Sequence, residues 1–195
     1  MAKLTEIRWH GRGGQGAKTA ALLFGEALLG QGKYIQAFPE YGPERMGAPV
    51  QSYNRISDQP ITIHCGVTSP QVVVVLDPTL MDTVDVTSGL PEDGTIIINT
   101  DQPASKFRQK LGLNSQRVHT VDASRIAMET IGRNIPNTPM MGALVRVTGL
   151  VDLEEMLEDT KKKLEKKFRS KPEVIEGNLA AIRRAYDEVK SDQEG

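Results

Sequence analysis

Apolar and polar residues alternate from Glu6 to His10 and then recur every three or four positions from Ala17 to Leu29, a change of period that predicts a strand followed by a helix. A second strand is expected over Tyr34 to Phe38. After a polar turn segment from Pro39 to Pro49 come two β-prone stretches, Val50 to Ile56 and Ile61 to Cys65, separated only by Ser57-Asp58-Gln59-Pro60. So short a link predicts an antiparallel hairpin. The run Val72-Val73-Val74-Val75-Leu76 shows no alternation, as expected of a strand covered on both faces in the middle of a sheet. Further on, the pattern predicts a short helix around Thr79 to Thr83, a strand from Thr95 to Asn99 and a helix opened by Pro103. A strand from Val118 to Val121 and a helix from Ser124 to Ile131 complete the alternation.

The last third reads as helical. Met140 to Gly149 forms a small-residue helix, Leu153 to Phe168 spaces Leu153, Met156, Leu157, Leu164 and Phe168 along one face, and Glu173 to Val189 follows the break at Pro172. Repeated βα units plus one hairpin predict an α/β fold: three layers, α/β/α, with a mixed, mainly parallel Rossmann-like sheet and C-terminal helices. The 195 residues are expected to form a single domain whose helical part begins at about 140.

Composition changes this picture mainly by exclusion. A net charge of −1 gives no global bias toward nucleic acid. No stretch approaches the roughly 18 continuous apolar residues of a membrane span, and Met1 to Glu6 lacks the apolar run of a signal peptide, so a cytoplasmic protein is expected. The single cysteine, Cys65, rules out an internal disulfide, a Cys-rich zinc site and an iron–sulfur cluster bound by this chain's own thiolates.

The candidate chemistry centres on Gly11-Arg12-Gly13-Gly14-Gln15-Gly16, a G-x-G-x-x-G turn between the first strand and first helix. Such a turn permits close backbone approach, and the helix start that follows offers unpaired N–H groups and partial positive charge to a phosphate or carboxylate. It is not a P-loop: Ala17 stands where the lysine belongs, and Lys18 comes one residue late, turned away by about 100° on a helix. Nor does the end of the second strand, near Gln36, supply the acidic residue that a dinucleotide ribose requires. Two uses of the turn stay open, binding an anion or packing closely against another chain. Arg12 suits either a phosphate or a salt bridge.

Other segments carry chemistry that folding alone explains poorly. The Pro- and Gly-rich stretch from Phe38 to Pro49 bears Glu40, Tyr41, Glu44, Arg45 and Met46, residues useful in a partner interface. Asn137 and Thr138 lie between two prolines, where Thr138 could cap a helix with Pro139 at its first position, or the pair could contact a subunit. His10 is the one histidine placed beside the turn; no metal spacing or catalytic triad is evident around any histidine. Asp77 ends the central strand, where it can either cap the next turn or face a ligand. The basic run from Lys161 to Lys171 reads as a solvated face or a docking patch.

Taken together, Trp9 to Lys18, Gln36 to Gly42, Glu44-Arg45, Gly47-Ala48-Pro49, Asn54-Arg55, Pro136-Asn137-Thr138 and Gly142-Ala143 resemble the gamma subunit of 2-oxoacid:ferredoxin oxidoreductases, most closely the pyruvate type. The resemblance spans about Glu6 to Val189. It implies an enzyme of several chains that decarboxylates a 2-oxoacid, passes electrons to ferredoxin or flavodoxin, and transfers the acyl group to coenzyme A. Thiamine diphosphate, Mg and [4Fe-4S] clusters are then expected on the alpha, beta and delta subunits. This chain, which has no thiamine-diphosphate motif and no catalytic or metal-ligating set of its own, is expected to pack on the thiamine-binding chains. There it helps shape the coenzyme A approach, with Gly11 to Gly16 as the candidate contact.

Overall fold

A computed structural model describes residues 4–40 and 46–192. The chain runs β1 (Leu4–Arg12), α1 (Ala17–Leu29), β2 (Tyr34–Pro39), β3 (Pro49–Ser57) and β4 (Val72–Val75), then a 3-10 turn at Pro78–Asp82. There follow β5 (Thr95–Asn99), α2 (Ala104–Lys110), β6 (Arg117–Val121), α3 (Ala123–Ile131), α4 (Asn137–Thr148), α5 (Leu153–Lys167), α6 (Pro172–Glu188) and β7 (Lys190–Ser191). The seven strands form one sheet in the order β2-β3-β1-β4-β5-β6-β7. β1, β4, β5 and β6 run parallel, while β3 is antiparallel to both β1 and β2, and β7 to β6. The predicted α/β class, the mixed sheet and the central place of the valine run all hold.

The two faces of the sheet are covered unequally. One carries α1 and α3 to α6 over Ile7, Trp9, Val72, Val74 and Ile97; the other carries α2 and the 3-10 turn over Val73, Val75, Ile96, Ile98 and Val118. α4 and α6 cross so closely that a Cβ on Gly142 would stand 2.0 Å from the Ile182 carbonyl oxygen, which accounts for the small-residue character of α4.

The hairpin is where the expectation needs correcting. Val50 to Ile56 lies within β3, but Ile61 to Cys65 is not a strand, and the antiparallel neighbour of β3 on that side is β2. The carbonyls of the 61–66 segment face side chains instead: Gln36 donates to Ile61 O, and Arg55 to Ile63 O and Gly66 O. Side-chain donors thus reach three carbonyls of the kind that a ladder would have paired. The Thr138 cap is corrected too. α4 begins at Asn137 behind Pro136, and the Thr138 hydroxyl donates to Asn178 Oδ1 (2.9 Å). Pro139 is tolerated one position further in because the first-turn N–H groups have no helical acceptor anyway.

Candidate functional site

β1 ends in the glycine turn at the edge of the sheet where α/β folds present ligands. Gly14 (φ +99°) and Gly16 (φ +83°) adopt left-handed conformations that disfavour any other residue. Gly16 also lies against α4, since a Cβ there would come within 2.6 Å of Asn137 Nδ2. The structure thereby joins two segments that the sequence singled out separately. The turn is closed by Arg12 N–H donating to Gln15 Oε1 (2.8 Å) and Gln15 N–H donating to Arg12 O (3.0 Å). Among the described residues, the N–H groups of Gly14, Gly16 and Ala17 find no acceptor.

Beside the turn opens a cleft of about 530 Å³, lined by Arg12, Gly13, Gly14 and Gly16, the first α1 residues Ala17, Lys18 and Thr19, Pro39 and Glu40 at the end of β2, Met46, and Val50, Gln51 and Ser52 of β3. Six of the singled-out residues meet here: Arg12, Gly13, Gly14, Gly16, Glu40 and Met46. Gly11 and Gln15 support the turn from behind; a Cβ on Gly11 would stand 3.3 Å from Ala17 Cβ, tighter than ordinary contact. Asn137 and Thr138 are buried within the chain. Tyr41, Glu44 and Arg45 lie outside the described residues.

Arg12 crosses the sheet edge to β4. Its Nε donates to Asp77 Oδ2 (3.1 Å), Nη2 to Thr79 Oγ1 (2.9 Å) and Nη1 to Gly47 O (3.2 Å), while Gln15 Nε2 also donates to Asp77 Oδ2 (2.9 Å). Asp77 caps the 3-10 turn by accepting from Thr79 N–H (3.0 Å), the first of the two roles its position suggested. Burial by itself raises the Asp77 pKa. The hydrogen bonds from Thr79 and Gln15 and the Arg12 charge outweigh that and hold it below the usual carboxylate value.

This ion pair bridges the ends of β1 and β4, where strand order reverses in a dinucleotide-binding sheet. β3 moreover separates β1 from β2, which places the end of the second strand about 10 Å from β1, two strand spacings away. The cleft lies over the start of β3, on the other side of β1 from the crevice a dinucleotide occupies.

Below the cleft, one face of β1 and β3 carries polar side chains of which sequence reading singled out His10 but missed Arg8, Gln51 and Tyr53. The Tyr53 hydroxyl bonds to the Glu40 carboxylate and lies 2.9 Å from Gln51 Oε1; burial, followed by that carboxylate, pushes the phenol pKa up. Arg8 Nε donates to His10 Nε2 (3.0 Å), so His10 accepts and is neutral. Burial, reinforced by the Arg8 charge, lowers the His10 pKa to about 3. The period-2 alternation of Gln51, Tyr53 and Arg55 on β3 was the available signal. Its meaning depended on knowing that β3 pairs with β1 in the register Arg8 opposite Tyr53.

The chain's one thiol, Cys65, is exposed, and among the described residues no group of three His, Cys, Asp or Glu side chains converges. Likewise no described helix is long and apolar enough to cross a membrane. The basic run occupies the end of α5 and the link to α6. There Lys162 pairs with Glu158, Lys163 with Glu26 and Asp159, and Lys167 lies over the Phe168 ring.

A Rossmann-like sheet with the crevice between β1 and β4 bridged, and a cleft shifted onto an inserted antiparallel strand, define an α/β domain of the doubly wound kind. The chain belongs to the pyruvate ferredoxin/flavodoxin oxidoreductase family, whose profile matches residues 6–188. It is 51% identical over 188 residues to the pyruvate synthase subunit PorC of Thermotoga maritima, covering 96% of each chain. To the pyruvate/ketoisovalerate oxidoreductases common subunit gamma of Pyrococcus abyssi it is 45% identical over 190 residues, 96% of this chain and 98% of that one. The crystal structure of the Thermotoga maritima pyruvate oxidoreductase subunit PORC superposes with a TM-score of 0.85 at 49% identity, over 97% of this chain and 99% of that one. The resemblance read from the motifs is confirmed: this is a gamma-type subunit of a 2-oxoacid:ferredoxin oxidoreductase, and its relatives are subunits of multi-subunit enzymes.

Proposed function

We propose that this chain serves an enzyme that oxidatively decarboxylates a 2-oxoacid, pyruvate by preference, to acyl-CoA and CO2 with ferredoxin or flavodoxin as electron acceptor. Thiamine diphosphate, Mg and [4Fe-4S] clusters reside on the alpha, beta and delta subunits, in the cytoplasm. The donor set here fits none of these groups, so no redox or carbon–carbon bond-breaking step is assigned to its residues. Its own contribution is to pack on the thiamine-binding subunits, with Glu40 and Met46 at the contact, and to shape the approach of coenzyme A.

The observation that carries this reading is the cleft beside the turn, where the N–H groups of Gly14, Gly16 and Ala17 find no acceptor among the described residues, at the start of a 13-residue helix. Phosphates suit such a place through both hydrogen bonding and the helix dipole. The test has two arms. Tagged chain isolated anaerobically from its own cell is expected to bring down partner subunits and coenzyme A-dependent reduction of ferredoxin by pyruvate. In the assembled enzyme, Gly14→Val is expected to raise the coenzyme A KM about tenfold with little change in the pyruvate KM, since a β-branched residue strains a positive φ. A chain purified alone and inactive, or an unchanged coenzyme A KM, would sink the respective half of the proposal.

A further inference from the structure

The two edges of the sheet are finished differently. At one, β7 covers β6, and the residue after β7 is pinned to α2 by the Arg108–Asp192 ion pair. At the other, β2 has no strand beyond it among the described residues. Open edges usually carry a charge or a bulge that keeps other strands away. Tyr34 to Phe38 has no charged side chain, and β2 pairs with β3 residue for residue from Tyr34 to Pro39 without a bulge.

Which backbone groups of β2 face outward follows from its ladder. Glu40 N–H donates to Gln51 O (3.0 Å), so in the register of Phe38 opposite Tyr53 the residues Tyr34, Gln36 and Phe38 also turn their N–H and C=O toward β3. Ile35 and Ala37 turn theirs away, and among the described residues those groups meet no backbone partner. The strand is held firmly from α1, since a Cβ on Gly25 would stand 3.0 Å from Ile35 Cγ2 and 3.2 Å from Ala37 Cβ. A groove of about 450 Å³ is lined by Ile35, Gln36, Ala37, Phe38 and His64. Successive strand residues point to opposite faces, so a groove that touches consecutive residues opens at the edge itself.

The edge is complementary to itself. About a two-fold axis at Gln36, Ile35 of one copy stands opposite Ala37 of the other, so each outward N–H of Ile35 and Ala37 meets an outward carbonyl. Tyr34, 47% exposed, then faces Phe38 of the other copy on both sides of the axis, an aromatic cross-strand pair. Moving the axis to Ala37 would set Ile35 opposite Pro39, which has no N–H to give.

We propose that β2 is a self-association edge: two copies of this chain pair antiparallel through Tyr34 to Phe38, centred on Gln36, and join their sheets into one. Two-fold association of identical surfaces is the commonest arrangement of soluble oligomers. Such pairing is independent of the enzymatic role proposed above.

The test is sedimentation equilibrium of the full chain as wild type, Tyr34→Lys and Ala37→Pro, with thermal unfolding to confirm that each is folded. Wild type is expected at twice the 21.4 kDa chain mass. Tyr34→Lys changes an exposed side chain, removes both aromatic pairs and is expected to weaken the dimer about tenfold. Ala37→Pro removes an outward N–H without touching the β3 ladder, as an edge strand tolerates, and is expected to leave monomer. Oxidative cross-linking in a Cys65→Ser background reads the register. Gln36→Cys is expected to form a disulfide between copies, because directly opposed residues of that kind stand about 4.5 Å apart at Cα. Tyr34→Cys is expected not to, the two copies of that residue being about 14 Å apart along the strand. A wild-type chain that stays monomeric throughout overturns the proposal, and slow amide exchange of β2 in the assembled enzyme would then assign the edge to a strand of another subunit. A dimer untouched by both substitutions, or cross-linking of Tyr34→Cys as ready as that of Gln36→Cys, overturns it as well.

Discussion

One face of a single sheet is built in two different ways. Over β4, β5 and β6 it presents Val73, Val75, Ile96, Ile98 and Val118, closed off by Met81, Val86, Leu90 and Phe107. On the adjoining strands, the same face over β1 and β3 presents Arg8, His10, Tyr53 and Arg55, all buried as well. The difference lies in the cover. Helix and apolar side chains cover the first half, whereas irregular segments lie against the second and bring carbonyl groups that have no ladder to join. Arg55 donates to Ile63 O and Gly66 O, and Arg8 to Val86 O and Ser88 O. Buried carbonyls need donors, and a guanidinium supplies several on one side chain. The polar half is thus the consequence of covering a sheet with loop rather than helix, and the cleft opens at its edge.

This contrast can be broken by experiment. The largest effect is expected in the apolar half. Ile98→Ala, at a fully buried site, should lower global stability by about 3–4 kcal/mol through lost transfer energy and a residual cavity, seen as a single cooperative shift in denaturant midpoint. A loss under about 1 kcal/mol would show that the α2 side repacks freely.

In the polar half, Arg55→Met strands the Glu6 carboxylate, with which Arg55 Nε pairs at 2.7 Å, and releases two carbonyls. Arg55 is 1% exposed and also lies over the Phe38 ring, so a cost of about 3 kcal/mol is expected. Part of that loss should be local: limited proteolysis is expected to cut first between residues 58 and 71, before the sheet unfolds. Cleavage spread evenly over the chain would mean that the two halves unfold as one.

The smallest effect near neutral pH, growing as the solution is acidified, is a pH dependence confined to the polar half. His10 is neutral when folded, with its pKa lowered from 6.5 to about 3. Between those values the unfolded chain binds a proton that the folded chain does not, so this contribution is complete above pH 6.5 and declines as pH falls toward 3. The slope is at most about 1.4 kcal/mol per pH unit. Thermal midpoints measured across that window should fall less steeply in His10→Gln, whereas Ile98→Ala should keep the wild-type slope.

Several features were readable without coordinates. The α1 boundaries fell where apolar periodicity and flanking glycines put them, and the unbroken valine run lies in the middle strand of seven, because a strand buried on both faces needs no polar residue. The glycine turn was legible from spacing alone. Ile61 to Cys65 was misread as a strand because its composition is β-prone, while its Ile61 and Ile63 carbonyls accept from the Gln36 and Arg55 side chains where a ladder would have supplied N–H groups. Tyr53 and Gln51 passed unnoticed since alternation on β3 reads the same whatever strand lies beside it.

By itself the sequence determined the local conformations, the class of fold and, through its combined motifs, the family. Those follow from φ preferences, apolar period and turn chemistry, which act over a few residues. Only the tertiary structure decided that β3 inserts between β1 and β2, that Arg12 faces Asp77, and that Asn137 lies against Gly16. Such pairings join residues distant along the chain, 65 positions in the case of Arg12 and Asp77, and the register of packed elements, rather than any local preference, sets which groups meet.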